Sequence, residues 1–452
     1  MSPLLGLLFA ASIDGGAALR HAAALAALGP HPWGSAANQA AAQYVADQMR
    51  VAGVADVALE TFERGGIAGV NVVATLPGAS EEFVLVGAHH DTVPEAPGAY
   101  DDGSGVGILL ELARVLASEP ARPRTIVLAS FDGEESGGPR AGPTVGSRAY
   151  VQQLGNRGDD LVAAFVLEMS GWAGGRPVLH PIAYADPREK GRTVIAPAWL
   201  VRAALAGSAE AGAPLAVGDP LLSWLYQPAV RTFRVHLYGD DNSFLQAGRA
   251  ALFTSDSSFT AFYPHYHQPT DTADRLDAAA LARMGNAVLG VAHALMAAPP
   301  GPAAEPHWFA AFGSVIERPV LLALGVVSLL PGVLLGLRVG GLLLAARLVH
   351  AGLFALLLWT QPVPALWVLL VPNLLLPLAR SWWTTLLSLA PGLALVALGG
   401  AAWYRGFVSG IWLAPWEVAA ASFALALAFV CRGRSGVRGL SKRTQEGRPA
   451  GD

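Results

Sequence analysis

The sequence predicts an α/β domain, with a mixed and mostly parallel sheet covered by helices on both faces, followed by an all-α transmembrane region. Three observations carry that prediction. Continuous apolar runs of strand length alternate with segments of helical length over residues 30–296, and strands that are apolar throughout belong to sheets buried on both faces. Clusters of acidic and histidine side chains follow several of those runs directly, where the loops at one edge of such a sheet collect. From Pro319 onward, mostly uncharged apolar runs follow one another, each near the roughly 20 residues that cross a bilayer.

Taken in order, residues 1–29 open on "MSPLLGLLFAASI", an apolar run short for a span and lacking a basic start. We read this N-terminal apolar segment as the end of a signal or first helix that begins upstream. Residues 36–52 read as a helix, as do residues 105–118 and 277–296. Strands are expected at "NVVATL" (71–76), "EFVLVGA" (82–88), "RTIVLASF" (124–131), "LVAAFVLEM" (161–169), "FRVHLY" (233–238) and "ALFTS" (251–255). The segment "MAAPPGPAAEP" (296–306) is rich in Pro and Ala and unsuited to regular structure, so residues 297–318 read as a linker.

The membrane region is expected over residues 319–431, in about five helices at 319–337, 340–359, 361–379, 382–404 and 407–430. A soluble helix keeps a polar face, whereas these runs are apolar on every side. Arg347, His350 and Glu417 interrupt them, either lining a polar site or reaching to an interface. Residues 432–452 form a basic tail.

Composition narrows the function. Hydrophobic residues make up 53% of the chain and charged residues 14%, with a mean hydropathy of +0.42, which fits a lipid bilayer as one partner. The net charge is −4 and no Lys/Arg cluster lies in the N-terminal domain, which excludes nucleic acid as a partner. Cys431 is the single cysteine, so no intrachain disulfide forms. No internal repeat is visible, and oligomeric state is not legible.

Four clusters carry the chemistry. "GAHHDT" follows one strand, "DGEE" (132–135) another, and "EMSG" (168–171) a third, while "YPHYHQPTDT" (263–272) comes shortly after a fourth. Carboxylates and imidazoles beside a core are costly unless paired. A divalent metal pairs with several at once, and histidine nitrogen with carboxylate oxygen, without thiolate, suits catalytic zinc. Taken alone, Glu134 and Glu135 read equally well as a solvated acidic loop. His90 and His265 are read as structural, since neighbouring strand residues point opposite ways.

These motifs, "GAHHDT", "GAYDDGSGV", "DGEESG" with "GSRAYV", and "YHQPTDTADRLD", resemble in order those of the co-catalytic zinc exopeptidases, metallopeptidase family twenty-eight, of the aminopeptidase type. The resemblance covers about residues 30–296. The opening "HPWGSAANQAAAQYVADQM" and the trailing spans are similar to the membrane-anchored branch, endoplasmic-reticulum metallopeptidase and vacuolar membrane protease. The zinc exopeptidase fold follows as an expectation.

The resemblance implies two zinc ions per chain. His89 would bind one, Asp101 would bridge both, and Glu135 and His267 would complete the other. Glu168 stands where the family usually has an aspartate, one methylene shorter. Glu134 matches the general base, Asp91 the carboxylate that orients the metal-bound imidazole, and Tyr266 a donor to the developing oxyanion. Asp102 is the alternative to Asp101. Arg140 and Arg148 read as loop-surface charges.

The chemistry agrees with that inventory. Two metals about 3.5–4 Å apart polarise a scissile carbonyl and acidify a bridging water, and a nearby carboxylate moves its proton to the leaving amine. The expected function is a membrane-anchored aminopeptidase acting on peptide substrates. A one-zinc acyl transferase of the glutaminyl cyclase kind and a catalytically inactive binding domain are the alternatives. With five spans, the basic tail marks the cytoplasmic face and the catalytic domain is expected on the extracytoplasmic side.

Overall fold

In the structure, a computed structural model, residues 12–135, 143–181, 184–185, 193–217, 239–257, 262–299, 301, 308–311 and 314–317 are described. The strand expected at 233–238, Arg140, the five apolar runs of 319–431 and the basic tail lie outside the described residues.

The chain begins with helix α1 (Gly15–Ala26), whose start is capped by Asp14 accepting from the N–H groups of Gly16 and Ala17. Helix α2 (Ala36–Val51) starts in the same way on Ser35, as short polar side chains satisfy the free N–H groups of a first turn. Strands β1 (Asp56–Arg64) and β2 (Ile67–Leu76) form an antiparallel hairpin. Its turn is Gly65–Gly66, both at positive φ (61° and 83°), the backbone that a two-residue hairpin turn demands and that glycine supplies.

Then come β3 (Phe83–His89), α3 (Ser104–Ala117), β4 (Thr125–Phe131), α4 (Val145–Leu154), β5 (Leu161–Leu167), β6 (Val178–His180), β7 (Tyr184–Ala185), β8 (Thr193–Val194), α5 (Ala198–Glu210), β9 (Ala216–Val217), α6 (Asp241–Gln246), β10 (Ala251–Ser255), α7 (Ala278–Ala297), β11 (Trp308–Ala311) and β12 (Ser314–Glu317). An eight-stranded sheet has the order β1-β2-β4-β3-β5-β10-β6-β9, and two short ribbons pair β7 with β8 and β11 with β12. The four central strands, β4, β3, β5 and β10, are mutually parallel. Strand β1 is antiparallel to β2, β2 to β4 and β6 to β10, while β9 at the far edge is parallel to β6, so the sheet is mixed with a parallel centre.

Every residue of β3, β5 and β10 is buried. Alternate residues explain why. Leu85, Phe131, Ala164, Val166 and Phe253 pack with Tyr150, Leu154 and Phe244 from α4 and α6 on one face. Val84, Val86, Leu128 and Phe165 are equally buried and point the other way, toward the side covered by α2, α3 and α7. Edge strand β1 is only partly covered and is largely exposed.

Helix α1 falls within the apolar N-terminal segment of 1–29, yet it packs on α3 and α7, which carries the packed unit N-terminal of residue 30. Among the described residues, α7 alone is long and apolar enough to cross a membrane. Of its most apolar 18-residue stretch 67% is buried within the domain, in contact with α1, α3 and α5, so it is a core helix.

Candidate metal centre

Because β3, β4 and β5 are parallel, their C-terminal ends open onto one edge of the sheet, and three of the acidic clusters arrive there together. His89 is the last residue of β3, Glu134 and Glu135 lie just past β4, and Glu168 follows β5. Asp101 comes from the irregular helical turn Ala99–Gly103 that leads into α3. His267 comes from the loop after β10, in a left-handed conformation (φ 57°).

The sequence-predicted residues meet in two overlapping trios. His89, Asp101 and Glu168 form one, and Asp101, Glu135 and His267 the other, with the ligand atoms of each trio within 4.8 Å of one another. His89 Nε2 lies 3.3 Å from Asp101 Oδ1 and 3.6 Å from Glu168 Oε2. His267 Nε2 lies 3.2 Å from Asp101 Oδ2 and 2.9 Å from Glu135 Oε1. Asp101 thus presents one oxygen to each imidazole. His89, Glu134 and Glu135 also fall within the same limit, so the base expected from sequence lies beside both trios.

Asp91 does more than sequence suggested. It is fully buried and stands 3.5 Å from His89 Nδ1, but its two oxygens also accept from the backbone N–H groups of Glu134 (2.9 Å) and Glu135 (3.1 Å). Tyr266 stacks on the ring of His267, with centroids 3.7 Å apart and an interplanar angle of 19°. Of the adjacent aspartates, Asp101 faces the imidazoles, whereas Asp102 Oδ1 accepts from the N–H groups of Gly105 and Met169. A side chain at Gly105 would collide with that carboxylate.

The remaining candidates fall outside the trios. His90 is buried, paired with Ser130 through Nδ1, and burial holds its pKa down at about 3. His265 bonds Thr270, and Arg148 bonds Thr144 and Pro143.

Electrostatics show what the cleft lacks. Burial opposes charge on His89, yet Asp101, Asp91 and Glu168 hold its pKa well above the ordinary imidazole value. His267 is carried up to about 10, against its burial, by Asp101 and Glu135. Burial and the Asp101 charge push Glu135 up to about 8, and burial with the Glu168 charge raises Glu134. Tyr266 is also raised, by burial and then by the Asp101 and Glu135 carboxylates, so its phenol keeps its proton. Carboxylates outnumber imidazoles, and positive charge is in demand.

A metal fits that demand. Among the described residues, the buried atoms His89 Nε2, Asp101 Oδ2 and Glu168 Oε1 have no hydrogen-bond partner, although opposite charges lie close by. Groups turned toward a shared centre leave their mutual geometry poor for hydrogen bonds and suitable for cations. The donor set is oxygen and nitrogen only, which zinc accepts.

Residues 71–292 match the family model described as peptidase family M28. The domain belongs to peptidase family M28. Similar proteins include leucine aminopeptidase 1 of Fusarium vanettenii, 25% identical over 237 residues, which are 50% of this chain and 55% of that protein. A probable lipoprotein aminopeptidase of Mycobacterium tuberculosis is 42% identical over 85 residues, covering 19% of this chain and 16% of its own. The chain spans about half the length of the leucine aminopeptidases it matches. Among solved structures, a zinc aminopeptidase from Bacillus subtilis aligns with a TM-score of 0.50 at 16% identity over 65% of this chain and 98% of its own, a likeness of fold.

In this M28 domain two acidic residues near the site had no sequence-stated role. Asp240, at the start of α6, is fully buried and contributes to the charge around Glu168 and Glu134. Burial and its neighbours push it up to about 7. Its signal was the run "GDDN" (239–242), which resembles "YDDG" before α3 but follows residues outside those described. Asp271 lies inside the quoted motif "YHQPTDTADRLD", yet its partners are on the Asp101 turn, far away in sequence.

Proposed function

We propose that the chain is a membrane-anchored, zinc-dependent aminopeptidase that hydrolyses the N-terminal residue from peptides, with two zinc ions as cofactor. The observation that carries this reading is Asp101, one carboxylate set between two imidazoles so that five residues fall into two trios sharing it. His89, Asp101 and Glu168 hold one ion, and Asp101, Glu135 and His267 the other. Such a pair, when bound, polarises the scissile carbonyl and lowers the pKa of the attacking water.

The chain's own groups do the rest. Glu134 has no hydrogen-bonded partner to compete for its carboxylate among the described contacts and is fixed through its backbone by Asp91. It accepts the proton of the attacking water and returns it to the leaving amine. Tyr266, kept protonated beside His267, donates to the carbonyl oxygen as it gains charge. Asp91 orients His89 and holds the turn that aims Glu134 and Glu135, the kind of support that tunes a metal ligand.

The names of the matched relatives favour an aminopeptidase among the activities of this family. Anchoring rests on the apolar runs of residues 319–431 beyond the linker 297–318, with the peptidase domain at about residues 30–296 on the extracytoplasmic side and the tail of 432–452 inside. The decisive experiment is elemental analysis of the detergent-purified chain together with amino-acid release from a short peptide. Two zinc ions and stepwise release, lost on chelation, are expected. An active preparation without metal overturns the reading, and one zinc with cyclised N-terminal products replaces it with the glutaminyl cyclase kind of chemistry.

A further inference from the structure

The two trios are built on different supports. His89 ends a buried strand and is flanked by Asp91. Glu168 is fixed by its own N–H on Thr254 O (3.0 Å), while the next N–H, of Met169, rests on Asp102 (3.0 Å). His267 has no strand beneath it. It sits on a loop, its side chain 32% exposed, in a left-handed backbone conformation that a non-glycine residue holds only when its surroundings enforce it.

Four residues further along that loop is Asp271, fully buried. Its Oδ1 accepts from the backbone N–H of Tyr100 at 2.9 Å and from the Tyr263 hydroxyl at 3.3 Å, and its Oδ2 accepts from the N–H of Asp101 at 3.2 Å. Its backbone carbonyl accepts from Ala99 at 3.3 Å, while its own N–H donates to Gln268 at 3.0 Å. One residue therefore ties the loop of His267 to three consecutive residues of the turn that carries Asp101. Tyr100, stacked on Tyr263 with centroids 4.0 Å apart, closes the same junction.

We propose that Asp271 is a positioning residue that locks the His267 loop onto the Asp101 turn and thereby sets the affinity of the metal position formed by Asp101, Glu135 and His267, leaving the position of His89 and Glu168 to its own supports. This inference rests on the two-metal reading above. Losing Asp271 frees the histidine loop and unpairs two buried N–H groups, whereas His89 and Glu168 keep their own supports at Asp91 and Thr254 and share only Asp101 with the loosened turn.

The test is Asp271→Asn in the full-length chain. Asparagine keeps the size and one acceptor oxygen, but turns an amide group toward a backbone N–H. Zinc stoichiometry and stepwise dissociation constants, from chelator competition, are read beside the thermal midpoint of the zinc-free chain. We expect the parent to bind two zinc ions, and the variant to keep one near parental affinity and bind the second about 10–100-fold more weakly, the usual effect of losing a support behind a ligand. The zinc-free midpoint should stay close to the parent's, and Tyr263→Phe, which removes only the phenol donor, should leave both constants near parental. Two unchanged constants in Asp271→Asn overturn the proposal while the two-metal reading stands. Parallel loss of both ions with a fall in the zinc-free midpoint overturns it in favour of a general structural role. A parent that binds fewer than two ions removes the two-metal reading and this inference with it. Should the asparagine variant not fold, Asp271→Ser, which keeps one small acceptor, is read in the same way.

Discussion

Asp91 offers the sharpest test of how the centre is held. Its carboxylate is wholly buried and accepts from two backbone N–H groups, those of Glu134 and Glu135, besides facing His89. Asp91→Ala strips both N–H groups of a partner, and a buried unpaired group costs about 1–3 kcal/mol, so about 2–6 kcal/mol is expected in stability. Asp91→Asn keeps the shape and one acceptor, so about 1–3 kcal/mol is expected.

That smaller loss falls on the segment that places the base and a ligand together. Converted at about 1.4 kcal/mol per tenfold, it predicts zinc bound roughly 5–140-fold more weakly in Asp91→Asn, of the order of the losses seen when a ligand's support is removed. Hydrogen exchange at the amides of residues 134 and 135 is the direct assay, with zinc competition and kcat/KM alongside. Both amides should exchange faster in Asp91→Asn than in the parent. Unchanged exchange with parental zinc affinity would refute the clamp.

Further outcomes follow from the same geometry. Glu134→Gln should keep both metals and lose turnover by about 10² or more, whereas Glu135→Gln, which breaks the 2.9 Å pair with His267, should lose metal first; full turnover in Glu134→Gln would remove it as the base. Glu168→Asp should keep measurable peptide hydrolysis and Glu168→Ala should not, and equal full activity in both would show that Glu168 holds no metal. Protease added to intact cells should cut the peptidase domain and spare the basic tail; the reverse pattern would place the domain in the cytoplasm.

The central strands were legible because burial on both faces leaves an unbroken apolar run, as in "FVLVGAH" and "LVAAFVL". Since such strands are parallel, the polar clusters behind them had to emerge on one edge. Strand β1 was not read, for the opposite reason. Its sequence "DVALETFER" belongs to an exposed edge strand with no continuous core face, although the Gly-Gly that follows was a hairpin signal. Helix α1 was obscured by its alanine-rich composition beside the apolar run that opens the sequence. The choice between Asp101 and Asp102 stood open in sequence because only the fold shows which carboxylate turns toward the imidazoles.

What sequence hid most completely was a second occupation for the acidic residues. Asp91 accepts from the N–H groups of Glu134 and Glu135, Asp102 from those of Gly105 and Met169, Asp256 from those of Gly171 and Trp172, and Asp271 from those of Tyr100 and Asp101. Each carboxylate satisfies two main-chain donors that the loops at the strand ends leave without a sheet or helix partner. A buried N–H must be paired, and a carboxylate does it with two strong acceptors on one side chain. None of these four is in a metal trio. Of the residues that are, Asp101 and Glu135 carry N–H groups so held and Glu168 directly precedes one, while the two histidines face these carboxylates. The crowd of acids at the edge of this apolar core therefore divides into carboxylates that face the cleft and carboxylates that hold the backbone behind them. Substitutions in the second group should act on metal affinity through position, as Asp91 and Asp271 are expected to, because they alter where a ligand points and leave its chemistry untouched.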